Sequence, residues 1–314
     1  MEGAAQIPTT SHLGRRNGRK RLTGKRRRDT IEAWIILTPI LIYFSIFFLF
    51  PVVSNFYISF TKWNGIMGAP EWTGFSNYLR YLRPPYPLII GNTLIFAVGI
   101  LLVQTTIAFL IAVLLDQKVL GRGVFRALFY IPTLTSAAVT AQVAFAFISP
   151  YDGVLNAVLQ MLGRPIVIWT IDETWMRAFI IIYSIWRGVG GPVVLFLAAL
   201  QGIHREIYEA AMVDGASGRD MLFHITVPLL RPMIIFVLIT GMIGSFQIFE
   251  AVLLISKGGP ANKTNVMLLQ IYNDAFVNTN MGLASAGSMV MAILLLGFSI
   301  TNMRIMRRGQ VGAE

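Results

Sequence analysis

The chain has 314 residues, 55% of them hydrophobic and 13% charged, with a mean hydropathy of +0.65. A soluble domain carries about 25% charged residues, so half that density at this length excludes an ordinary globular enzyme and indicates repeated membrane crossing. The absence of cysteine excludes disulfides, thiolate metal sites, Fe–S clusters and cysteine catalysis, and a net charge of +11 raises nucleic acid as a partner until the charge is placed along the chain.

Nine basic residues fall between Arg15 and Arg28. An apolar run from Trp34 to Tyr57 follows with no small-residue cleavage site, so residues 1–33 read as a disordered basic tail ahead of a retained span, not as a removed signal peptide. Gly18 and Gly24-Lys25 hint at a phosphate loop, but no Ser or Thr follows the lysine and no strand precedes it.

A bilayer core needs about 20 apolar residues per helix. Six segments satisfy that within 34–304: Trp34–Tyr57, Leu88–Leu115, Val124–Ile148, Ala178–Leu200, Leu229–Ile255 and Ala284–Met303, with residues 305–314 as a tail. Val154–Leu162 is apolar but too short to span, and reads as an amphipathic surface piece. Orientation follows from Lys and Arg. With both termini cytoplasmic, the arm, Lys118, Arg122, Arg126, Arg205, Arg219, Arg231, Arg304, Arg307 and Arg308 place eighteen of the 26 basic residues inside. The positive charge is accounted for by topology, and a nucleic-acid partner is not implied.

Between the fourth and fifth spans lies a polar stretch, EAAMVDGASGRDMLFHITVP, residues 209–228. Arg205–Val213 has helical composition, and Asp214-Gly215 ends that helix because glycine suits the left-handed position beyond a C-terminus. Ser217 then caps a second helix with Asp220 as its reciprocal partner, and Pro228 is expected to stop it. Ala210 and Ala211 leave a smooth face, flanked by the charges of Glu209 and Asp214. Three readings compete: a solvated connector, a DNA-reading helix-turn-helix on the Ala211/Gly215 spacing, and a docking element for a cytoplasmic partner. The DNA reading lacks a free basic recognition helix.

The pattern E-A-A-x-x-D-G-A through Phe223, Ile225 and Pro228 resembles the EAA loop of ABC-importer permeases, with Val227 where leucine usually precedes the proline. A second stretch, Gly258-Gly259-Pro260, Thr264, Ile271-Tyr272, Ala275-Phe276, Gly282 and Ala284-x-Ala286, resembles carbohydrate-importer permeases of the maltose type. The resemblance implies an all-α membrane protein of six transmembrane helices with a cytoplasmic coupling loop at 203–228, the type I ABC importer permease fold. It implies coupling to an ATPase through Glu209, Ala210, Ala211, Asp214, Gly215 and Ala216. It also implies a bacterial or archaeal cytoplasmic membrane location, a second homologous permease, two ABC ATPase subunits carrying ATP and Mg, and an external solute-binding protein. No nucleotide site is found in this chain, so no cofactor is expected in it.

The same resemblance places a sugar between the helices flanking the EAA loop, at Trp186, Arg187, Gly188, Gly191, Ser245 and Gln247. Glu250 joins them as a charge inside a span, where polar groups are costly and mark function. Arg187 and Glu250 read equally as an ion pair with each other or with the partner permease, or as residues near the outer interface. If Arg187 lines the path, an acidic saccharide or phosphorylated polyol suits it better than a neutral sugar. Gly190-Gly191-Pro192 is expected to open the fourth span. Phe246 and Phe249 share a helical face and read as packing.

The main rival is a secondary transporter working without an ATPase, which usually needs more spans, internal repeats and several embedded acids. An intramembrane enzyme is weaker. His12, His204 and His224 lie away from any membrane acid, and no metal site is expected.

Overall fold

The computed structural model describes residues 25–117 and 121–310, which divide into two units between Ser54 and Asn55. In the first, α1 (Lys25–Phe44) passes through a wide turn at Ser45–Leu49 into α2 (Phe50–Ile58), which ends in the second. Pro51 explains the wide turn. Proline offers no N–H, and in a regular helix its ring collides with the carbonyl four residues back. The Phe50 N–H instead reaches five residues back to Ser45 O, which moves that carbonyl aside. Residues 25–33 are thus helical, not part of a disordered tail. No proline or glycine lies between Lys25 and Trp34 to stop the first span from extending backwards. The remainder of the tail, 1–24, lies outside the described residues. Ile35, Tyr43 and Phe47 are exposed within this unit.

The second unit opens with a small hairpin, β1 (Thr61–Lys62) against β2 (Glu71–Trp72), antiparallel with Thr61 opposite Trp72. Phe60 stacks on Trp72 at 5.5 Å and meets Phe75 edge-on. After α3 (Ser76–Arg80), the helix α4 (Tyr86–Asp116) is central and packs against the later helices Glu173–Gly188, Gly190–Gln201 and Val227–Phe246. Ala108 and Ala112, one turn apart, are fully buried beside Val193, Phe196 and Val237. Small residues at this spacing let helices approach closely, which matters where lipid removes most of the hydrophobic drive to associate.

The third expected span is not straight. α5 (Arg122–Leu134) and α6 (Ala137–Phe147) meet at 96°. Thr135 takes an extended backbone (ψ 152°), and its hydroxyl donates to the Pro132 carbonyl at 2.7 Å, satisfying an orphaned group of the last turn. α7 (Val154–Met161) is the short apolar helix expected there. Its buried Asn156 donates to Pro150 O and Val167 O and accepts from Val167 N and Trp169 Nε1, so the amide is fully used. α8 (Glu173–Gly188), capped by Asp172, and α9 (Gly190–Gln201) form a second bent pair at 46°.

α10 (Arg205–Val213) precedes α11 (Gly218–Asp220), a wide turn at Met221–Thr226, and α12 (Val227–Phe246). After a wide turn at Val252–Ser256 come α13 (Met267–Tyr272), another wide turn at Asn273–Val277, and α14 (Met281–Gln310). Among the described residues, four helices are long and apolar enough to cross a membrane, and counting each bent pair as one span brings the number to six. The molecule is an all-α membrane protein.

Candidate functional site

α4, α8, α12 and the chain after α12 surround an open cavity of about 550 Å³. Two broken helices shape it.

The first break is at α8–α9. In a regular helix the Gly188 carbonyl accepts from residue 192, but residue 192 is proline and has no hydrogen to give. Gln104 of α4 replaces it, its Nε2 donating to Gly188 O at 3.0 Å. Thr133 of α5 donates to the neighbouring Arg187 carbonyl at 2.8 Å. Side chains of adjacent helices thus satisfy the freed carbonyls, the condition for a broken helix at membrane depth. Gly190 is needed there, because a Cβ would lie 2.4 Å from Phe129 O and 2.8 Å from Tyr130 Cα.

The second break corrects the expected span Leu229–Ile255. α12 stops at Phe246, Gln247–Phe249 are not helical, and helix resumes at Glu250. Gly241 and Gly244 weaken the end of α12. The Ser245 hydroxyl donates to Gly241 O at 2.7 Å, and Gln247 N closes a tight last turn on Gly244 O at 3.2 Å. The break leaves the Gln247 side chain exposed and sets Glu250 opposite α8. Arg187 Nη2 lies 4.0 Å from Glu250 Oε2, so the two charges face each other. Arg187 Nε is buried without a hydrogen-bond partner.

Of the residues singled out in the sequence, Arg187, Gly188, Ser245, Gln247 and Glu250 line this cavity. Trp186 and Gly191 do not. Trp186 is 50% exposed on the outer side of α8 and borders two apolar grooves there, one along α6 and one along α5. One residue along a helix turns a side chain by about 100°, so Trp186 and Arg187 cannot share a face. The aromatic side chains that reach the cavity are Tyr183, whose hydroxyl pairs with Thr140 Oγ1 at 2.8 Å, and Phe249, which packs on Tyr272. Phe246 is buried against Phe298. Sequence reasoning missed Gln104, Tyr183 and Ser184, and read Phe249, which reaches the cavity, as packing. Gln104 had a signal, as one of two amides, with Asn92, in the second span.

The polar stretch 203–228 forms a second site. α10 ends in a Schellman motif: Gly215 has φ +81°, Ala216 N donates to Ala211 O at 2.9 Å and Gly215 N to Met212 O at 3.1 Å. Ser217 and Asp220 form the reciprocal capping box. Glu209, Ala210, Asp214 and Gly215 are exposed, and Ala211 and Ala216 half-buried. Pro228 does not stop the second helix. Val227 N–H reaches back five residues to Leu222 O, so the proline is carried just after a wide turn and Gly218–Phe246 runs on as one helical stretch.

The Gly258–Phe276 region is stapled to the bundle. Asn92 Nδ2 donates to Asn262 O and Asn265 O, and Arg177 donates through Nε to Lys263 O and through Nη2 to Asn92 Oδ1. Lys263 pairs with Glu173 at 3.1 Å. Gly282 admits no side chain, since a Cβ would sit 1.9 Å from Thr61 O. Asp274 is buried, accepting from Gln270 Nε2, Asn278 Nδ2 and Tyr86 OH. Burial pushes its carboxyl above the ordinary value, and those three donors oppose the shift. No cluster of three or more His, Asp or Glu able to hold a metal occurs among the described residues.

Residues 104–308 match the family of binding-protein-dependent transport system inner membrane components. The chain belongs to that family. The permease is 33% identical over 258 residues to the lactose transport system permease LacF of Rhizobium radiobacter, covering 80% of this chain and 85% of that one. It is 30% identical over 293 residues to the trehalose/maltose transport system permease MalF of Thermococcus litoralis, covering 91% and 97%. It is also similar to a chain of a bacterial alginate ABC transporter solved in complex with an alginate pentasaccharide-bound periplasmic protein. That likeness has TM-score 0.79 and 25% identity, and covers 92% of this chain and 98% of the other. The permease is therefore a multi-pass membrane subunit of an ABC importer and not an enzyme.

Proposed function

We propose that this permease forms half of the path for a saccharide or related polyol, held at the Arg187–Glu250 cavity, and that an ATPase drives it through residues 203–228. The observation that carries the reading is the cavity itself. Two spans break where it lies, and the breaks leave a guanidinium, a carboxylate and the Gln247 and Gln104 amides around it. Such a set suits the hydroxyls of a sugar, with Tyr183 and Phe249 for its apolar faces. Glu250 offsets the charge of Arg187, so the reason for preferring an acidic cargo lapses. An ion pair this exposed contributes on the order of 0–1 kcal/mol, so a ligand hydroxyl displaces it at little cost.

The relatives named for lactose and trehalose/maltose support the carbohydrate class. A second, homologous permease closes the open side of the cavity. Two ATPase subunits, carrying ATP and Mg, seat on Glu209–Ala216, and a solute-binding protein delivers the cargo from outside. Both termini are cytoplasmic, an orientation that places 203–228 on the side of the ATPases and the hairpin, α7 and the 257–280 region on the side of the binding protein. The membrane is the cytoplasmic membrane of a bacterium or archaeon.

The test is ATPase activity of the reconstituted complex with a panel of solute-loaded binding proteins, using the wild-type chain and Glu209→Lys. One saccharide-loaded binding protein is expected to stimulate hydrolysis, and Glu209→Lys to abolish that stimulation. If no ATPase associates, or if the variant behaves as wild type, the coupling role fails and a transporter working without an ATPase becomes the better reading.

A further inference from the structure

We infer that the hydrogen bond between Tyr208 and Thr226 is a latch that holds the wide turn Met221–Thr226 rigid while force passes from α10 to α12. The inference rests on the proposal that the ATPase bears on 203–228.

Between α10 and α12 the chain reverses through Asp214–Ser217, held by the Schellman motif and the capping box, both local to the bend. A push on α10 could pivot about that bend and be lost before it reaches α12. Tyr208 OH and Thr226 Oγ1, eighteen residues apart and 3.0 Å from each other, bridge the two arms directly. Thr226 is 5% exposed and Tyr208 half-buried, so water competes weakly for this bond.

The direction of the bond is set by a second one. Thr226 Oγ1 donates to Met221 O at 3.0 Å, which uses its only hydrogen. Tyr208 is therefore the donor, and the chain of bonds runs from Tyr208 to Thr226 to the Met221 carbonyl at the far end of the wide turn. The hydroxyl spans the turn at its full width.

Pro228 makes the turn obligatory. In a regular helix its ring would press on the His224 carbonyl, and it has no hydrogen to donate there. Relaxation of the wide turn to regular geometry would rotate everything before it by about 100° and shift it about 1.5 Å along the axis. A joint that has to be wide, and at which Pro228 gives no donor, is stiffened by a strut. Tyr208 and Thr226 are positioning residues in this sense.

The experiment measures solute moved per ATP hydrolysed by the complete reconstituted transporter with its loaded binding protein. Tyr208→Phe and Thr226→Val are expected to lower that ratio roughly threefold to tenfold, the scale of one hydrogen bond's net contribution. Thr226→Ser, which keeps the hydroxyl, is expected to restore it. Tyr208→Phe removes a single oxygen and keeps the test decisive should Thr226→Val fail to assemble. An unchanged ratio in Tyr208→Phe, with stimulation still abolished by Glu209→Lys, overturns the latch alone. Wild-type behaviour of Glu209→Lys overturns the coupling reading on which the latch rests.

Discussion

Removing the Gln104 amide should leave the Gly188 carbonyl without a donor inside a membrane span. Gln104 Nε2 holds that carbonyl at 3.0 Å, and the usual donor is missing because residue 192 is proline. An unsatisfied carbonyl costs about 1–3 kcal/mol, so Gln104→Leu, which keeps the side-chain bulk, is expected to destabilise the protein by that amount. Pro192→Ala returns a backbone N–H four residues beyond Gly188. In that background the same Gln104→Leu change is expected to cost less than about 0.5 kcal/mol, because the carbonyl has another partner. The double-mutant cycle then shows a coupling of about 0.5–3 kcal/mol, and any change in apolar packing by the leucine cancels between its two arms. Unfolding of the four proteins by SDS in mixed micelles measures it. Equal costs of Gln104→Leu in both backgrounds would refute the account of the bend.

Gly190→Ala is expected to lower stability by about 1–3 kcal/mol by driving a Cβ into the α5 backbone, whereas Gly191→Ala, with nothing within 4 Å, is expected to be tolerated. Thermal unfolding in detergent compares them. Arg187→Met and Glu250→Gln are each expected to raise the solute concentration for half-maximal uptake about tenfold, as loss of a charged hydrogen bond does. Trp186→Ala, outside the cavity, is expected to leave that concentration unchanged, and a rise equal to that of Arg187→Met would refute the placement of the site. Asp274, whose carboxyl is raised by burial, is expected to favour folding most when protonated. Its contribution is therefore full below the ordinary Asp value of about 3.9 and lost as pH rises through the raised folded value. Asp274→Asn is expected to remove that part of the pH dependence, read from thermal midpoints across an acid-to-neutral series.

Much of the stretch 203–228 was legible in the sequence because its chemistry is local. Gly215 in the left-handed region, and Ser217 paired with Asp220, involve residues within a few positions of each other, and composition there allows few alternatives. The exception was Pro228, read as a stop. A proline ends a helix only if the helix keeps its regular width, and here the turn ahead of Pro228 widens instead. The cavity was half legible. Arg187 and Glu250 stood out as charges among apolar neighbours, whereas Trp186 and Gln247 were assigned by resemblance, and of these two only Gln247 lines the cavity.

By itself the sequence determined that the protein is a bundle of membrane spans, since runs of about 20 apolar residues have no other stable setting. It also determined the reversal at Asp214–Ser217. Only the tertiary structure decided where the spans break, which side of α8 faces the cavity, and which neighbours satisfy the carbonyls that the breaks set free. Apolar helices surrounded by lipid carry no polar face to mark inside from outside. Close approach at Gly190, and the donor that Gln104 supplies across from α4, depend on residues far apart in the chain and exist only once the helices have packed.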